Sequence, residues 1–208
     1  MTAPLNEASF AAGVRDLADR DQHLAGAVER WGEPPFWTHE PGFVGLVLEI
    51  LSQQVSLESA DAAYAKLIRH IGPVAPETIL VLDDAALKAI GFSRQKAGYV
   101  RGLAQAIVDG ALDLDTVGQM DDDSVRAALL PIKGIGPWTA DCYLLFALRR
   151  PDAWPTGDLA LVKAMQEVLE LDDVPGYPEA DAIAEAWRPW RAVAARILWH
   201  AYLSRRER

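Results

Sequence analysis

Apolar positions recur at three-, four- and seven-residue intervals along almost all of the chain, the mark of amphipathic helices. Phe10, Val14, Leu17, Leu24, Val28 and Trp31 form one such series, which predicts a helix stopped by Gly32-Glu-Pro-Pro. Phe43, Leu46, Val47, Ile50 and Leu51 form a second apolar face. Leu57, Tyr64, Leu67, Ile68 and Ile71 form a third, ending at Gly72-Pro73. The polar stretch Ser52-Gln-Gln-Val-Ser56 separates the last two. Asp83 or Asp84 can cap a short helix ending at Gly91, Ser93 one that runs to Gly110, and Asp121 to Asp123 the next. Further helices are expected over about 137–149, 158–170, 179–187 and 189–203, the first and last opened by Pro137 and Pro189. No run alternates in the strand period, and no repeat or low-complexity linker interrupts the pattern. The fold class is all-α.

Composition narrows the picture. With 208 residues, half of them hydrophobic, the chain can bury a substantial core, as one domain or as two small lobes sharing a cleft. No apolar run reaches membrane-spanning length, and the first residues lack a signal peptide's basic and apolar parts, so a soluble cytoplasmic protein is expected. The single cysteine, Cys142, excludes an internal disulfide and a four-cysteine iron–sulfur cluster. A net charge of −10 argues against gripping nucleic acid by bulk electrostatics. Between Trp187 and Arg208, however, six arginines face one acid, Glu207, while acids gather at Asp121 to Asp123 and Glu167 to Asp173. One basic face on an acidic body is expected, or a solvated tail over Ser204 to Arg208.

The candidate chemistry centres on Leu130-Pro-Ile-Lys-Gly-Ile-Gly-Pro-Trp-Thr-Ala140. Gly134 and Gly136 straddle one apolar residue in a turn between helices, where glycine tolerates positive φ and close approach of another backbone. Pro137 suits the first position of the new helix, whose outward N–H groups and dipole favour an anion such as a duplex phosphate. Glycines before a proline-initiated helix also occur in ordinary loops.

The whole constellation is more specific. Leu-Pro-x-x-Gly-Ile-Gly-x-Trp-Thr-Ala, a helix rich in Leu and Phe, then Pro155-x-Gly157-Asp158 and another helix resemble the helix-hairpin-helix and Gly/Pro/Asp motif of the base-excision DNA glycosylase superfamily. Within it the chain resembles the 3-methyladenine DNA glycosylase II (AlkA-type) branch, over roughly residues 42 to 203. The resemblance implies two helical lobes with a DNA-binding cleft in a single unit over 1–208. A lobe of about 43–125 would be inserted against 1–42 plus 126–208, with the helix-hairpin-helix at about 121–149. It further implies a monomeric, nucleoid-associated enzyme acting on double-stranded DNA that contains damaged bases. Longer AlkA-type proteins carry a β-rich domain ahead of the helical core, and few residues precede Phe43 here. That domain is expected to be missing, with Phe36 and Trp37 as candidates to replace what it gives the base pocket, or else simply packing a Pro-rich loop.

Residue by residue, Asp158 matches the catalytic aspartate. Breaking an N-glycosidic bond develops positive charge on the sugar, which a carboxylate can stabilise while orienting or deprotonating water. Asp158 also looks like an ordinary helix cap. Trp138 occupies the position where bifunctional members carry a Schiff-base lysine, which implies a monofunctional enzyme that leaves an abasic site. Trp138 and Trp199 are the expected base-stacking residues; Trp187 and Trp190 read as core. Cys142 stands where longer relatives place a pocket tyrosine. Gln53 and Gln54 match the turn that fills the gap left by a flipped base, with Gln54 as the wedge. Lys133, Gly134, Gly136 and Thr139 are expected against DNA. The carbonyls of Leu130, Ile132 and Ile135 are expected to hold a structural Na+ or K+, with no other cofactor. Alkylated purines of the 3-methyladenine and 7-methylguanine type are the expected substrates. The alternatives are a non-catalytic helix-hairpin-helix DNA-binding protein, or a glycosylase for ethenoadenine, hypoxanthine or oxidised bases.

Overall fold

The computed structural model describes residues 3–206, so the expected contributions of Glu207 and Arg208 lie outside the described residues. Among these there is no strand, and no helix is long and apolar enough to cross a membrane. The helices are α1 (Glu7–Arg20), α2 (Gln22–Trp31), α3 (Phe43–Ser52), α4 (Leu57–Ile71), α5 (Pro76–Leu80), α6 (Asp84–Ile90), α7 (Arg94–Val108), α8 (Leu114–Gly118), α9 (Asp122–Leu129), α10 (Pro137–Cys142), α11 (Leu159–Val168), α12 (Tyr177–Ala184) and α13 (Arg191–Arg206). A π-helical turn, Tyr143–Ala147, prolongs α10, and a 3-10 turn, Glu185–Trp187, prolongs α12.

They fall into two units, a terminal one of Met1–Thr38 with Arg149–Arg208, and an inserted one of His39–Leu148. The inserted unit therefore runs past the expected boundary near 125 and takes the whole hairpin. A break at 125 would cut through α9, whose Val125 and Leu129 are fully buried, and α9 and α10 pack with α8 and α3.

In the terminal unit α13 is the centre. Ala192, Val193, Ala194, Ala195, Ile197 and Leu198 are buried along it, and α1, α2 and α11 pack on it. Small side chains permit that close approach; at Gly13 of α1 an added methyl would press on Val193 and Trp190. The helix starts at Arg191, two residues after Pro189, because the backbone at Arg188 is still extended (φ −58°, ψ 143°). The single helix expected between Phe10 and Trp31 is two. Asp21 adopts extended backbone (φ −132°), ends α1 with its N–H on the Leu17 carbonyl, and starts α2 by accepting from the N–H groups of His23 and Leu24. Its other oxygen accepts the indole N–H of buried Trp187 at 2.8 Å.

In the inserted unit α3 is the centre, with Leu46, Val47, Ile50 and Leu51 buried. Glu49 is buried there too and accepts from or donates to His39 Nδ1 at 2.8 Å; burial pushes its carboxyl up, and the histidine draws it back. The apolar face of α4 is turned from the one expected. Ala60, Ala63 and Leu67 are inside, whereas Leu57 and Ile68 are exposed, because α3 and α6 approach over the small alanines.

Asp21→Ala removes a two-bond helix cap and leaves a buried indole donor unmatched. The expected cost is about 2–3 kcal/mol, read from urea unfolding, with Asp21→Asn recovering most of it. An unchanged midpoint would mean that packing alone sets the α1–α2 corner.

Candidate nucleic-acid interface and active site

The hairpin lies wholly in the inserted unit. α9 ends at Leu129, the loop closes through Ile132 N–H to Leu129 O and Ile135 N–H to Ile132 O, and α10 starts at Pro137. Arg126 of α9 bonds buried Asp141 beyond the loop at 2.7 Å, fixing the angle between the two helices. Gly134 has φ +96°, and a methyl there would overlap the Tyr99 ring of α7, so this position needs glycine twice over. Gly136 does not need it for conformation: φ is −95°, and open space lies over its α-carbon. The start of α10 has neither a side-chain cap nor an acid in its first turn. Backbone donors at such a helix start suit an anion.

Lys133 is exposed at the tip of the loop. Thr139 is only 3% exposed, so it does not present itself to DNA as expected; its hydroxyl accepts from Gln53 Nε2 at 3.0 Å. Gln53 is likewise turned inward. The same amide nitrogen donates to the Gly134 carbonyl at 2.8 Å and ties the turn after α3 to the hairpin loop. Beside it, Lys96 Nζ donates to the carbonyl of Leu51 at the end of α3, and partial burial pulls the lysine below its ordinary pKa. Gln54 is exposed and takes φ +56°, rare for a side chain larger than glycine. It is followed by exposed Val55 and Leu57. Of the two glutamines, one builds the turn and the other projects from it. Of the three loop carbonyls considered for a cation, Ile132 O already accepts one N–H and keeps a second lone pair. Leu130 is partly exposed and Ile135 is buried.

The terminal unit holds Asp158. Gly157 has φ +85°, and Asp158 is the N-cap of α11. Its Oδ1 accepts from Leu161 N–H at 2.8 Å and from the Trp199 indole N–H at 3.3 Å. The cap and the tryptophan thus fix one carboxylate oxygen together, and the group is partly exposed. Trp199 was expected as a stacking face; its N–H is also a ligand of the carboxylate. Trp37 lies edge-on to His200, the next residue of α13, with ring centres 6.2 Å apart. Phe36 stacks on Phe10 at 4.9 Å, and the Arg196 guanidinium lies over both rings. That packing engages Phe36 in the core of its own unit, which corrects its expected place in a base pocket. Cys142 is corrected for the same reason: it is fully buried and has no surface to offer a base. Trp138 is half-buried in the first turn of α10.

The expected basic face is not a row of open charges. Arg188 and Arg191 pair with Asp152 and Glu185, and Arg205 pairs with Glu167. Arg206 bonds and covers Tyr202. Arg196 is fully buried, its Nη1 and Nη2 donating to the Ala192 and Trp37 carbonyls, and burial pulls it down to about 9.

A family model described as HhH-GPD superfamily base excision DNA repair protein matches residues 47–189, which contain α9, the hairpin loop, α10 and Asp158. The chain belongs to the HhH-GPD superfamily. It is 32% identical over 160 residues to the putative DNA-3-methyladenine glycosylase YfjP of Bacillus subtilis, covering 73% of this chain. It spans 56% of that relative's length. It is 30% identical to DNA-3-methyladenine glycosylase 2 of Escherichia coli, over 89% of this chain and 68% of the other. In three dimensions it superposes on a Schizosaccharomyces pombe 3-methyladenine DNA glycosylase, solved in complex with abasic DNA, with a TM-score of 0.83 at 25% identity. That alignment covers 90% of this chain and 95% of the other.

The two hairpin glycines of this HhH-GPD chain should separate in their effects. Gly134→Ala meets the Tyr99 ring at a left-handed backbone and should cost about 2 kcal/mol or more of stability. Gly136→Ala should leave the unfolding midpoint within about 0.5 kcal/mol of native but weaken duplex binding, because its methyl sits at the bare start of α10. Equal loss of stability in both would refute the distinction.

Proposed function

We propose that the chain is a monofunctional DNA glycosylase of base excision repair, hydrolysing the N-glycosidic bond of alkylated purines after the base is flipped out of the duplex. The observation that carries this reading is Asp158, a partly exposed carboxylate anchored through one oxygen by a helix start and by Trp199. It is supported by the 3-methyladenine glycosylase names of relatives aligned across the same residues.

In this reading the hairpin and the Gln54 turn hold the duplex. The exposed glutamine enters the stack and can hydrogen-bond the orphaned partner base. An N3- or N7-alkylated purine carries positive charge and leaves readily, so no elaborate acid for the base is required. As the bond from the base nitrogen to C1′ lengthens, the Asp158 carboxylate stabilises positive charge on the sugar. Water adds to C1′ and gives up a proton, for which the same carboxylate is the acceptor. The base departs with the bonding electron pair, and an abasic site remains. Trp199 offers its ring to the base while its N–H keeps the carboxylate aimed. No amine stands at position 138 for Schiff-base chemistry, so the strand stays uncut. A Na+ or K+ on the carbonyls of Leu130, Ile132 and Ile135 would add positive charge near the hairpin's phosphate. No step depends on it.

The cap bond from Leu161 favours one rival, in which Asp158 is structural and the protein binds DNA without catalysis. Asparagine preserves capping, so Asp158→Asn separates the two. Under single-turnover conditions on a duplex with methylated or ethenoadenine bases, the variant should release base on the order of a thousandfold more slowly than native while binding DNA equally. Native protein should leave alkali-labile sites and form no borohydride-trapped adduct. Equal binding with no base released by either protein, across a broad lesion panel, would establish the non-catalytic alternative.

A further inference from the structure

The inserted unit contains a clamp that neither the hairpin motif nor the wedge turn accounts for. Gly134 is held by two other elements at once. Gln53, in the turn after α3, bonds its carbonyl, while the Tyr99 ring of α7 covers its α-carbon so closely that no side chain could stand there. Tyr99 is itself secured, since Gln95, one turn earlier on α7, donates to its hydroxyl. The first turn of α7 also reaches the turn after α3 from below, through Lys96 to the Leu51 carbonyl. Three segments remote in sequence, 51–54, 95–99 and 134–139, are thereby joined by side chains into one piece. The exposed end of that piece carries Gln54 in its left-handed conformation.

We propose that Tyr99 is a positioning residue for DNA: together with Gln53 it locks the hairpin loop to the wedge turn, so that the phosphate held by the hairpin sets the register at which Gln54 enters the duplex. This rests on the reading that the hairpin and Gln54 bind DNA. The argument is mechanical. An exposed residue at φ +56° keeps its direction only if its neighbours are fixed. Here one neighbour, Gln53, is fixed to the hairpin, and the hairpin glycine is fixed against Tyr99. With the ring removed, Gly134 gains a wide choice of backbone angles, the partner of Gln53 moves, and the spacing between phosphate grip and wedge is no longer set. Losing only the hydroxyl leaves the ring against Gly134, and the spacing with it.

The test is a double-mutant cycle on binding to a duplex containing an abasic site. Gln54→Ala is measured in native, Tyr99→Ala and Tyr99→Phe backgrounds, with thermal unfolding of each. If Tyr99→Ala does not fold, Tyr99→Leu takes its place. In the native and Tyr99→Phe backgrounds Gln54→Ala should weaken binding about tenfold; in the Tyr99→Ala background the same change should cost about twofold or less. A merely structural tyrosine would lower the unfolding temperature and leave the Gln54 penalty unchanged, and that result overturns the proposal. If Gln54→Ala has no effect on binding by the native protein, the reading of the turn as a wedge fails, and the clamp's role in DNA binding fails with it.

Discussion

Unsatisfied backbone donors at helix starts are the constraint on which most of this structure depends. A chain built from many short helices has many such ends, and each exposes N–H groups with no partner inside the helix. Acids and their neutral analogues meet most of them. Asn6, Asp21, Ser56, Asp83, Ser93, Asp113, Asp121 and Asp158 all accept backbone N–H groups, and acids occupy the first turns of α1, α4, α5, α6, α8, α9 and α12. Much of the negative charge is thus local, engaged at the positive ends of helix dipoles. The net charge of −10 describes the number of helices as much as the character of the surface.

Seen this way, two helix starts differ in a manner that bears on function. α10 has no side-chain cap and no acid in its first turn, so its donors stay available to a ligand. α11 has an ordinary aspartate cap, but the cap also receives an indole N–H from α13 and remains partly exposed. The first arrangement suits the binding of a phosphate. The second turns a structural device into an aimed carboxylate. Capping and catalysis are compatible at Asp158 because both bonds fall on one oxygen, fixing the plane of a group whose chemistry depends on direction.

The arginines show how far composition misleads when contacts are unknown. Six in the last segment read as a basic surface, yet Arg188, Arg191 and Arg205 meet carboxylates from other segments of their own unit, and Arg196 is internal. DNA binding by this chain therefore relies less on a charged field than on shaped contacts, namely a bare helix start, an exposed lysine and a projecting glutamine.

The sequence by itself determined the helices, their caps and the motif. The 3.6-residue period, the glycines at 91 and 134, the capping aspartates and the Pro-x-Gly-Asp run are local signals, and local backbone chemistry fixes what they mean. Asp158, Trp199 and Gln54 were legible for that reason. What the sequence could not determine was which side chains face one another. Gln53 and Thr139 looked like DNA contacts because they are polar and beside the motif, but they bond each other. Phe36 and Cys142 looked like pocket residues because they occupy positions where the resemblance has pocket residues, but packing has enclosed them. Gly134 signalled that something bulky lies opposite; that it is Tyr99 follows only from how α7 packs in the inserted unit. Interactions within a few residues are set by spacing along the chain, whereas partners thirty or eighty residues apart are chosen by the packing of whole helices, and only the tertiary structure records that choice.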